Sequence, residues 1–250
     1  MSTVMLITGA SRGIGAATAR LAAQRGYDVA VNYAGNKTAA DAVVADIRKA
    51  GRKALAIQAD VGKPDEIVRL FKTVDGEFGR LDAFFNNAGI LNKAAKFVDI
   101  TVENLERVLA VNTMGAFVAA QAATRRMSTR LGGKGGVIVN MSSAAAKLGG
   151  SNEATDYALS KGAIDTLTIG MAKELASEGI RVNAVRPGMI DTDIQRDTGV
   201  PDRIARATPL IPMQRGGTAE EVAEAVLWLM SDQASYCTGV LLDVGGGREL

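Results

Sequence analysis

The stretch VMLITGASRGIG, residues 4–15, decides the fold of this chain. An apolar run of strand type ends at Gly9, and a segment of helical composition begins at Gly13. Glycine at a strand-to-helix turn lets the backbone bend sharply, and the helix N-terminus that follows offers unpaired N–H groups with a partial positive charge. A glycine-rich turn alone is weak evidence. At the end of the first strand of an alternating chain, it predicts a site for the pyrophosphate of a dinucleotide.

Apolar strand patterns alternate with helical patterns along the rest of the chain. Six further strands are predicted at YDVAVNYA, KALAIQADV, LDAFFNNAG, GGVIVNMSS, IRVNAVRPG and GVLLDVGGG. Strands that alternate with helices pair in parallel. We therefore expect an α/β fold, a Rossmann-type doubly wound parallel sheet of seven strands with helices on both faces. No linker or repeat interrupts the pattern, so we expect one domain over residues 1–250.

Composition excludes several classes of function. Lys and Arg total 29 against 27 Asp and Glu, and no basic run occurs, so we expect no nucleic-acid partner. The chain has no histidine and one cysteine, Cys237, which argues against a metal site and rules out an intrachain disulfide. We see neither a signal-peptide core nor an apolar run of membrane length, and we expect a cytoplasmic protein.

The end of the second predicted strand bears on which dinucleotide the site prefers. In NAD-preferring folds of this type, a carboxylate at that point holds the ribose 2′-hydroxyl. This chain has Asn32, Tyr33 and Asn36 there and no acid, so nothing repels a 2′-phosphate. Arg12 in the glycine turn is placed to pair with that phosphate, and Lys37 adds charge. NADP(H) is therefore favoured over NAD(H), and aspartate at position 32 or 33 is expected to shift the preference toward NADH.

Two segments place a tyrosine four residues before a lysine. In YAGNK, Gly35 puts Tyr33 and Lys37 across a turn, so Tyr33 either lines the adenosine end of the cofactor or is a strand-end aromatic. In DYALSKG, Tyr157 and Lys161 lie within a predicted helix, where positions i and i+4 share a face. A free phenol titrates near ~10. A nearby ammonium lowers that pKa, which lets the phenol give a proton to a carbonyl oxygen as hydride arrives.

Several further motifs share the order of one known family. They are ADV at 59–61, NNAG at 86–89, VNTMG at 111–115, NMSS at 140–143 and RPGMIDTD at 186–193. With the glycine turn and the Tyr–Lys pair, they resemble the single-domain short-chain dehydrogenases/reductases over essentially the whole chain. The resemblance implies that the cofactor is bound by Gly9, Ser11, Arg12, Gly13, Ile14, Gly15, Asn32, Tyr33, Asp60, Val61, Asn87, Ala88, Gly89, Tyr157, Lys161, Pro187, Gly188, Ile190 and Thr192.

The resemblance also implies four catalytic residues. Tyr157 is the acid and base, and Lys161 lowers the pKa of Tyr157 and binds the nicotinamide ribose. Asn112 holds a water of the proton relay. A serine hydrogen-bonds the substrate oxygen, and the spacing to Tyr157 leaves Ser142 and Ser143 both open. We prefer Ser143, because in the family the second position of such a pair usually acts.

The implied function is an NADPH-dependent carbonyl reductase that also runs in reverse as an alcohol dehydrogenase. The pattern is similar to sugar (glucose) dehydrogenases and to 3-oxoacyl-carrier-protein reductases, and the sequence does not separate these substrates. Arg125, Arg126 and Arg130 form a basic cluster that suits an acidic carrier protein, although such clusters are more often a solvated helix face or a subunit contact. A non-catalytic dinucleotide sensor is the rival from another class. A sensor has no use for the complete Tyr–Lys–Ser–Asn set.

Two expectations about larger features come from the same resemblance. Residues 189–217 form a lid that closes over the bound cofactor and shapes substrate choice. No charged fork aimed at a carboxylate or phosphate is recognisable in the lid, so its residues do not specify a substrate. The partner that the resemblance implies is a small carbonyl or alcohol substrate. The helical segments near 101–131 and 153–178 pack between the subunits of a homotetramer.

Overall fold

A computed structural model describes residues 3–249, which form one parallel sheet of seven strands. The strand order is β3-β2-β1-β4-β5-β6-β7, and all neighbouring strands run parallel. The chain therefore winds outward from β1 in one direction and from β4 in the other. This confirms the predicted Rossmann-type doubly wound fold. The strands are β1 (Thr3–Ile7), β2 (Tyr27–Tyr33), β3 (Ala54–Gln58), β4 (Ala83–Asn86), β5 (Gly136–Met141), β6 (Ile180–Pro187) and β7 (Leu241–Val244).

The helices follow the strands in alternation and cover both faces of the sheet. A π-helical turn, Ala110–Gly115, joins α4 to α5 and holds the predicted Asn112. The α-helices are α1 (Gly13–Gln24), α2 (Lys37–Lys49), α3 (Pro64–Phe78), α4 (Val102–Leu109), α5 (Ala116–Met127), α6 (Ala145–Leu148), α7 (Thr155–Leu175), α8 (Asp193–Asp197), α9 (Arg203–Ala207) and α10 (Ala219–Met230).

Alternating residues of the central strand supply the two cores. Met5 and Ile7 pack in the cluster under α1, α2 and α10, whereas Leu6 packs in the cluster under α3, α5 and α7. In the second cluster the rings of Phe71 and Phe84 meet edge to face at 5.6 Å. Because successive side chains of a strand point to opposite faces, one apolar run serves both layers. Each such fully buried side chain contributes about 1.5–3 kcal/mol to folding.

Local sequence signals set the ends of several helices. Proline begins α3 at Pro64, and Asp65 and Glu66 lie in the first turn of that helix. Proline suits a first helical position, and acidic groups there favour the helix dipole. A capping box begins α10, because Thr218 accepts from the Glu221 amide and the Glu221 carboxylate accepts from the Thr218 amide.

A line of buried amides fixes the helices that carry the site. Asn86 Nδ2 donates to Asn140 Oδ1 at 3.0 Å and to Ala116 O at 2.9 Å. Asn140 Nδ2 in turn donates to Thr168 Oγ1 at 2.9 Å. Since an unpaired buried polar group is costly, these bonds specify how α5 and α7 lie on β4 and β5.

Two features are absent from residues 3–249. None of the described helices combines the length and apolarity of a membrane span. The described residues also contain no group of three or more His, Cys, Asp or Glu side chains that is arranged to hold a metal ion.

Candidate active site

A cleft of about 910 Å³ lies along the carboxyl ends of the strands. In an open parallel sheet, ligands bind at this edge, where the strand order reverses between β1 and β4. The sequence-predicted residues that line the cleft are Gly9, Ser11, Arg12, Gly13, Ile14, Gly15, Asn32, Asp60, Val61, Asn87, Ala88, Gly89, Ser143, Tyr157, Lys161, Pro187, Gly188, Ile190 and Thr192. Two other predicted residues, Tyr33 and Asn112, lie outside this lining.

The glycine turn after β1 has the shape and polarity that a pyrophosphate needs. Gly9 and Gly13 adopt positive φ angles of 63° and 54°, which side chains other than glycine rarely adopt. No side chain caps α1 at Arg12 and no acid lies in its first turn, so the first N–H groups are open to an anion. A Cβ on Gly13 would lie 3.5 Å from Thr192 Cγ2, so the loop after β6 reaches this turn. These residues fit a dinucleotide.

The two predicted residues at the end of β2 are already engaged by the protein. Asn32 Oδ1 accepts from Gly9 N at 3.1 Å, and its Nδ2 donates to Ile57 O at 3.2 Å and to Ala59 O at 3.0 Å. Tyr33 packs in the core with 5% of its surface exposed. The backbone twist after Tyr33 instead brings the segment 34–36 to the cleft.

Hydrogen bonds join the loops after β1 and β4 beside the cleft, and another closes the turn after β3. Thr8 Oγ1 accepts from Asn87 N at 2.9 Å and from Ala88 N at 3.0 Å. Asn87 Nδ2 donates back to Thr8 O at 2.7 Å. Asp60 Oδ1 accepts from Gly62 N at 2.9 Å, which closes the turn after β3. These bonds hold the loop after β4 against the glycine turn.

Tyr157 and Lys161 lie one turn apart on α7, as the spacing predicts. Lys161 is 2% exposed, and its Nζ donates to Met141 O at 2.7 Å. Burial lowers the pKa of Lys161 to about 8, and the charge of Asp165 opposes that fall. Burial also raises the pKa of Tyr157, against the opposing effects of Ser143 and Arg203. The sequence led us to expect a lowered tyrosine pKa, but desolvation outweighs the neighbouring charges here.

The structure separates the two candidate serines. Ser142 is buried, and its hydroxyl donates to Asp165 Oδ1 at 2.6 Å. Ser143 lines the cleft, where its Oγ accepts from Ala145 N at 3.1 Å and lies near enough to hydrogen-bond Tyr157. Both serines line the cleft, but Ser143 is the one that lies within hydrogen-bond reach of the phenol.

Asn112 lies behind the cleft wall in the π-helical turn. Its Oδ1 accepts from Ile90 N at 2.8 Å, and its Nδ2 donates to Ile90 O at 2.9 Å and to Ser160 Oγ at 3.1 Å. A Cβ on Gly89 would lie 3.3 Å from Asn112 Oδ1 and 3.5 Å from Lys161 Nζ. Asn112 is therefore near the lysine, but protein groups engage its side-chain amide.

The far end of the cleft contains polar residues that the sequence analysis missed. Arg203 Nε and Nη2 donate to Glu153 Oε2 at 3.2 and 2.8 Å, and Arg203 Nη1 donates to Gln195 Oε1 at 2.7 Å. Apolar walls come from Leu91, Leu148 and Leu210. The only sequence feature that pointed to Arg203 and Gln195 was their location in the segment 189–217. The partner of Arg203 at position 153 is distant in sequence, so the pairing leaves no local pattern.

A parallel sheet with this order, glycine turn and Tyr–Lys pair defines the class of nicotinamide-dependent oxidoreductases. A family model described as enoyl-(acyl carrier protein) reductase matches residues 9–249. The uncharacterized oxidoreductase YgfF of Escherichia coli K12 is 50% identical over 245 residues, 98% of this chain and 99% of its own length. These matches confirm the predicted family: the chain belongs to the short-chain dehydrogenases/reductases.

Two further similar proteins bear on the chemistry of the family. A 3-oxoacyl-[acyl-carrier-protein] reductase of Synechocystis sp. is 41% identical over 248 residues, 98% of this chain and 96% of its own. A short-chain dehydrogenase from Burkholderia cenocepacia, solved in complex with NADP, is 36% identical with a TM-score of 0.92, over 99% of this chain and 98% of that one. The chain is therefore an oxidoreductase of small molecules that uses a nicotinamide dinucleotide.

Proposed function

We propose that the protein is an NADPH-dependent carbonyl reductase, reversible as an alcohol dehydrogenase, that acts on a ketone, an aldehyde or a sugar. One observation carries the proposal: Tyr157 stands beside Lys161 on one helix face and beside Ser143 in the same cleft. A proton donor, a cation and a hydroxyl meet there at the end of the glycine-lined dinucleotide groove. A dinucleotide sensor needs the groove but not this proton-transfer group, so we rank the sensor behind the enzyme.

The chain's own groups divide the work of proton transfer. A nicotinamide dinucleotide held in the groove would supply the hydride. Ser143 positions the substrate oxygen, and Tyr157 gives that oxygen its phenolic proton as the carbonyl carbon is reduced. The ammonium of Lys161 stabilises the phenolate left behind and passes a proton back to it. Asn112 completes the relay from behind Gly89, and Lys161 also holds the ribose hydroxyls.

The preference for NADP over NAD rests on the end of β2. Ala34, Gly35 and Asn36 line the cleft there, and none of them offers a carboxylate to repel a 2′-phosphate. Arg12 lines the same region from the glycine turn. The NADP complex of the Burkholderia cenocepacia relative supports the same preference.

We further propose one domain with residues 189–217 as its substrate lid. The segment contains α8 and α9 and is connected to neighbouring loops by two kinds of bond. Ala94 N donates to Thr198 O at 3.1 Å, and Arg203 pairs with Glu153. These contacts support a lid that lies across the substrate end of the cleft, where its closure would exclude water from hydride transfer.

We propose a cytoplasmic homotetramer as the working form. Large apolar side chains are exposed on the helices that the sequence assigns to subunit contacts. On and beside α5 these are Met114 and Phe117, and on α7 they are Leu159 and Ile169. Exposed apolar patches of this kind mark association surfaces.

A 3-oxoacyl-carrier-protein reductase is the second candidate, supported by the Synechocystis relative. The basic cluster of Arg125, Arg126 and Arg130 does not support this second candidate. Arg126 pairs with Asp75 at 2.6 Å, and Arg130 pairs with Glu178 at 2.8 Å. Arg126 and Arg130 precede β5, and their partners precede β4 and β6, so all of them lie at the edge of the sheet opposite the cleft. An acidic carrier held there would be far from the reacting groups.

The test is consumption of NADPH and NADH with ketones, aldehydes, sugars and 3-oxoacyl thioesters, run beside Tyr157→Phe. We expect turnover with NADPH and one substrate class, lost in the variant while NADPH binding persists. Turnover that survives in Tyr157→Phe contradicts the mechanism whatever the substrate. NADPH binding without turnover of any compound favours the sensor.

A further inference from the structure

A line of alternating charges lies behind the reacting groups, and the mechanism above does not use it. Lys147 Nζ lies 3.2 Å from Asp243 Oδ2, and Arg186 Nη1 lies 3.7 Å from Asp243 Oδ1. Arg186 Nε and Nη2 then donate to Asp165 Oδ2 at 3.0 and 2.7 Å. The four residues join α6, β7, β6 and α7, and the line ends one helical turn beyond Lys161.

Asp165 is the member of this line that reaches the active site. It is 8% exposed, and its Oδ1 accepts from Ser142 Oγ at 2.6 Å. That Oγ also lies 3.2 Å from Lys161 O. The adjacent Met141 O accepts from Lys161 Nζ. The end of β5 therefore contacts α7 through two neighbouring residues, one held by the lysine ammonium and one by the carboxylate.

The charged groups nearest to Lys161 lie on its own helix α7 and, farther along the line, on β6, β7 and α6. On its own helix, Asp165 favours the ammonium, and the ring of Tyr157 lies beside it. Arg186 of β6 donates from Nε and Nη2 to one carboxylate oxygen of Asp165, Oδ2. Asp243 of β7 and Lys147 of α6 lie farther along the line. Burial works against the ammonium, so the carboxylate is the group that keeps the lysine charged.

We propose that Asp165 is a positioning residue of the proton-transfer site, which through Ser142 holds the end of β5, and through Arg186 the end of β6, against α7, and which keeps Lys161 an ammonium. The inference rests on the proposed reductase function, since only an ammonium stabilises the phenolate that Tyr157 becomes. Asp165 acts through Lys161 and lines no part of the cleft.

Two variants separate charge from packing. Asp165→Asn keeps the shape and an amide oxygen that accepts from Ser142, but it removes the negative charge. Ser142→Ala removes the hydrogen bond and keeps the charge. We measure kcat and KM for carbonyl reduction with NADPH from about pH 6 to about pH 10. In Asp165→Asn the alkaline loss of kcat is expected at lower pH than in the unmodified protein, with KM changed less than kcat. In Ser142→Ala the alkaline limb is expected to stay in place.

A second readout needs no substrate. Lysine labelled with ¹³C at Cε is followed by NMR through the same pH range, and Lys161→Met assigns the signal. Lys161 is expected to titrate at lower pH in Asp165→Asn than in the unmodified protein. In Ser142→Ala its titration is expected to be unchanged. This experiment still decides the proposal if the protein reduces no carbonyl compound and the proposed function fails.

A third variant tests the proposal even if Asp165→Asn does not fold. Arg186→Met removes the cation that competes for the carboxylate, so Lys161 is expected to keep its proton to higher pH. If the variants melt at lower temperature while Lys161 titrates as in the unmodified protein, Asp165 is only structural and the proposal is overturned.

Discussion

Lys161 Nζ lies 5.5 Å from the centre of the Tyr157 ring and donates at 2.7 Å to the carbonyl of Met141, the last residue of β5. The ammonium is thus held by strand backbone one helical turn from the phenol. Packing of α7 on β5 therefore presets the pair before any ligand arrives. Because the reacting groups are already held in position, removal of a single atom from one of them is expected to slow proton transfer.

Tyr157→Phe removes the proton that this geometry delivers. We expect kcat to fall by about 10²–10⁴-fold, the usual contribution of a positioned acid. NADPH affinity, measured by fluorescence titration, is expected to persist because the glycine turn is unchanged. Tyr33→Phe is the matched control, since Tyr33 also precedes a lysine by four residues but packs in the core. Equal losses in the two variants would contradict the assignment.

Lys161→Met is expected to stabilise the fold while it abolishes turnover. A fall in pKa from 10.5 to about 8 means that the buried ammonium costs about 3 kcal/mol at neutral pH. Loss of the bond to Met141 returns about 1 kcal/mol of that gain. The unfolded chain binds more protons between pH 8 and 10.5, so the unmodified protein gains stability as pH rises through that window.

Urea unfolding at neutral and alkaline pH measures whether the stability of the unmodified protein rises with pH. The stability advantage of Lys161→Met is expected to be largest below pH 8 and to shrink toward pH 10.5. Lys173→Met, at an exposed position on the same helix, serves as the control and is expected to show no such pH-dependent advantage. An advantage that stays constant with pH would argue that Lys161 is not a buried cation.

Ala34→Asp is expected to turn cofactor preference toward NADH. Ala34 is exposed at the end of β2 and lines the cleft, so a carboxylate there repels a 2′-phosphate and accepts from a 2′-hydroxyl. The measurement is the ratio of kcat/KM for NADPH to that for NADH. Gln24→Glu adds the same charge at the exposed end of α1, away from the cleft, and is expected to leave the ratio unchanged. An unchanged ratio in Ala34→Asp would contradict the proposal that the end of β2 sets the preference between NADPH and NADH.

Asn32 and Tyr33 show what the sequence predicts and what it misses. The period of the apolar residues, the turn glycines and the order of the motifs predicted the sheet, the family and about half of the residues that line the cleft, because these depend on local patterns. The sequence also pointed to aspartate at 32 or 33 as the cofactor switch. In the structure Asn32 Nδ2 donates to two carbonyls, and a carboxylate there would face both at a cost of about 1–3 kcal/mol. Which hydrogen bonds a side chain already makes depends on distant strands, so no local pattern reports it.

Arg203→Met is expected to loosen the lid without unfolding the protein. The pair with Glu153 is partly exposed, so its loss costs only about 0–1 kcal/mol. Limited proteolysis within 189–217 is expected to quicken, and KM for substrate is expected to rise. Arg196→Met is the control, because Arg196 pairs with Asp193 at the exposed surface of the same segment. If both variants are cleaved at the same rate as the unmodified protein, the Glu153 pair does not restrain the lid.

Phe117→Glu tests the association surface on α5. The Phe117 ring is 46% exposed on a helix that the proposal places between subunits. A buried charge at an apolar contact is costly, so the tetramer is expected to dissociate to smaller species in size-exclusion chromatography with light scattering. Val68→Glu places the same charge on α3, where Val68 is 50% exposed, and is expected to leave the mass unchanged. A full-mass tetramer in Phe117→Glu would move the subunit contact to another face. Dissociation by both variants would mean that added charge, rather than the α5 surface, disrupts assembly.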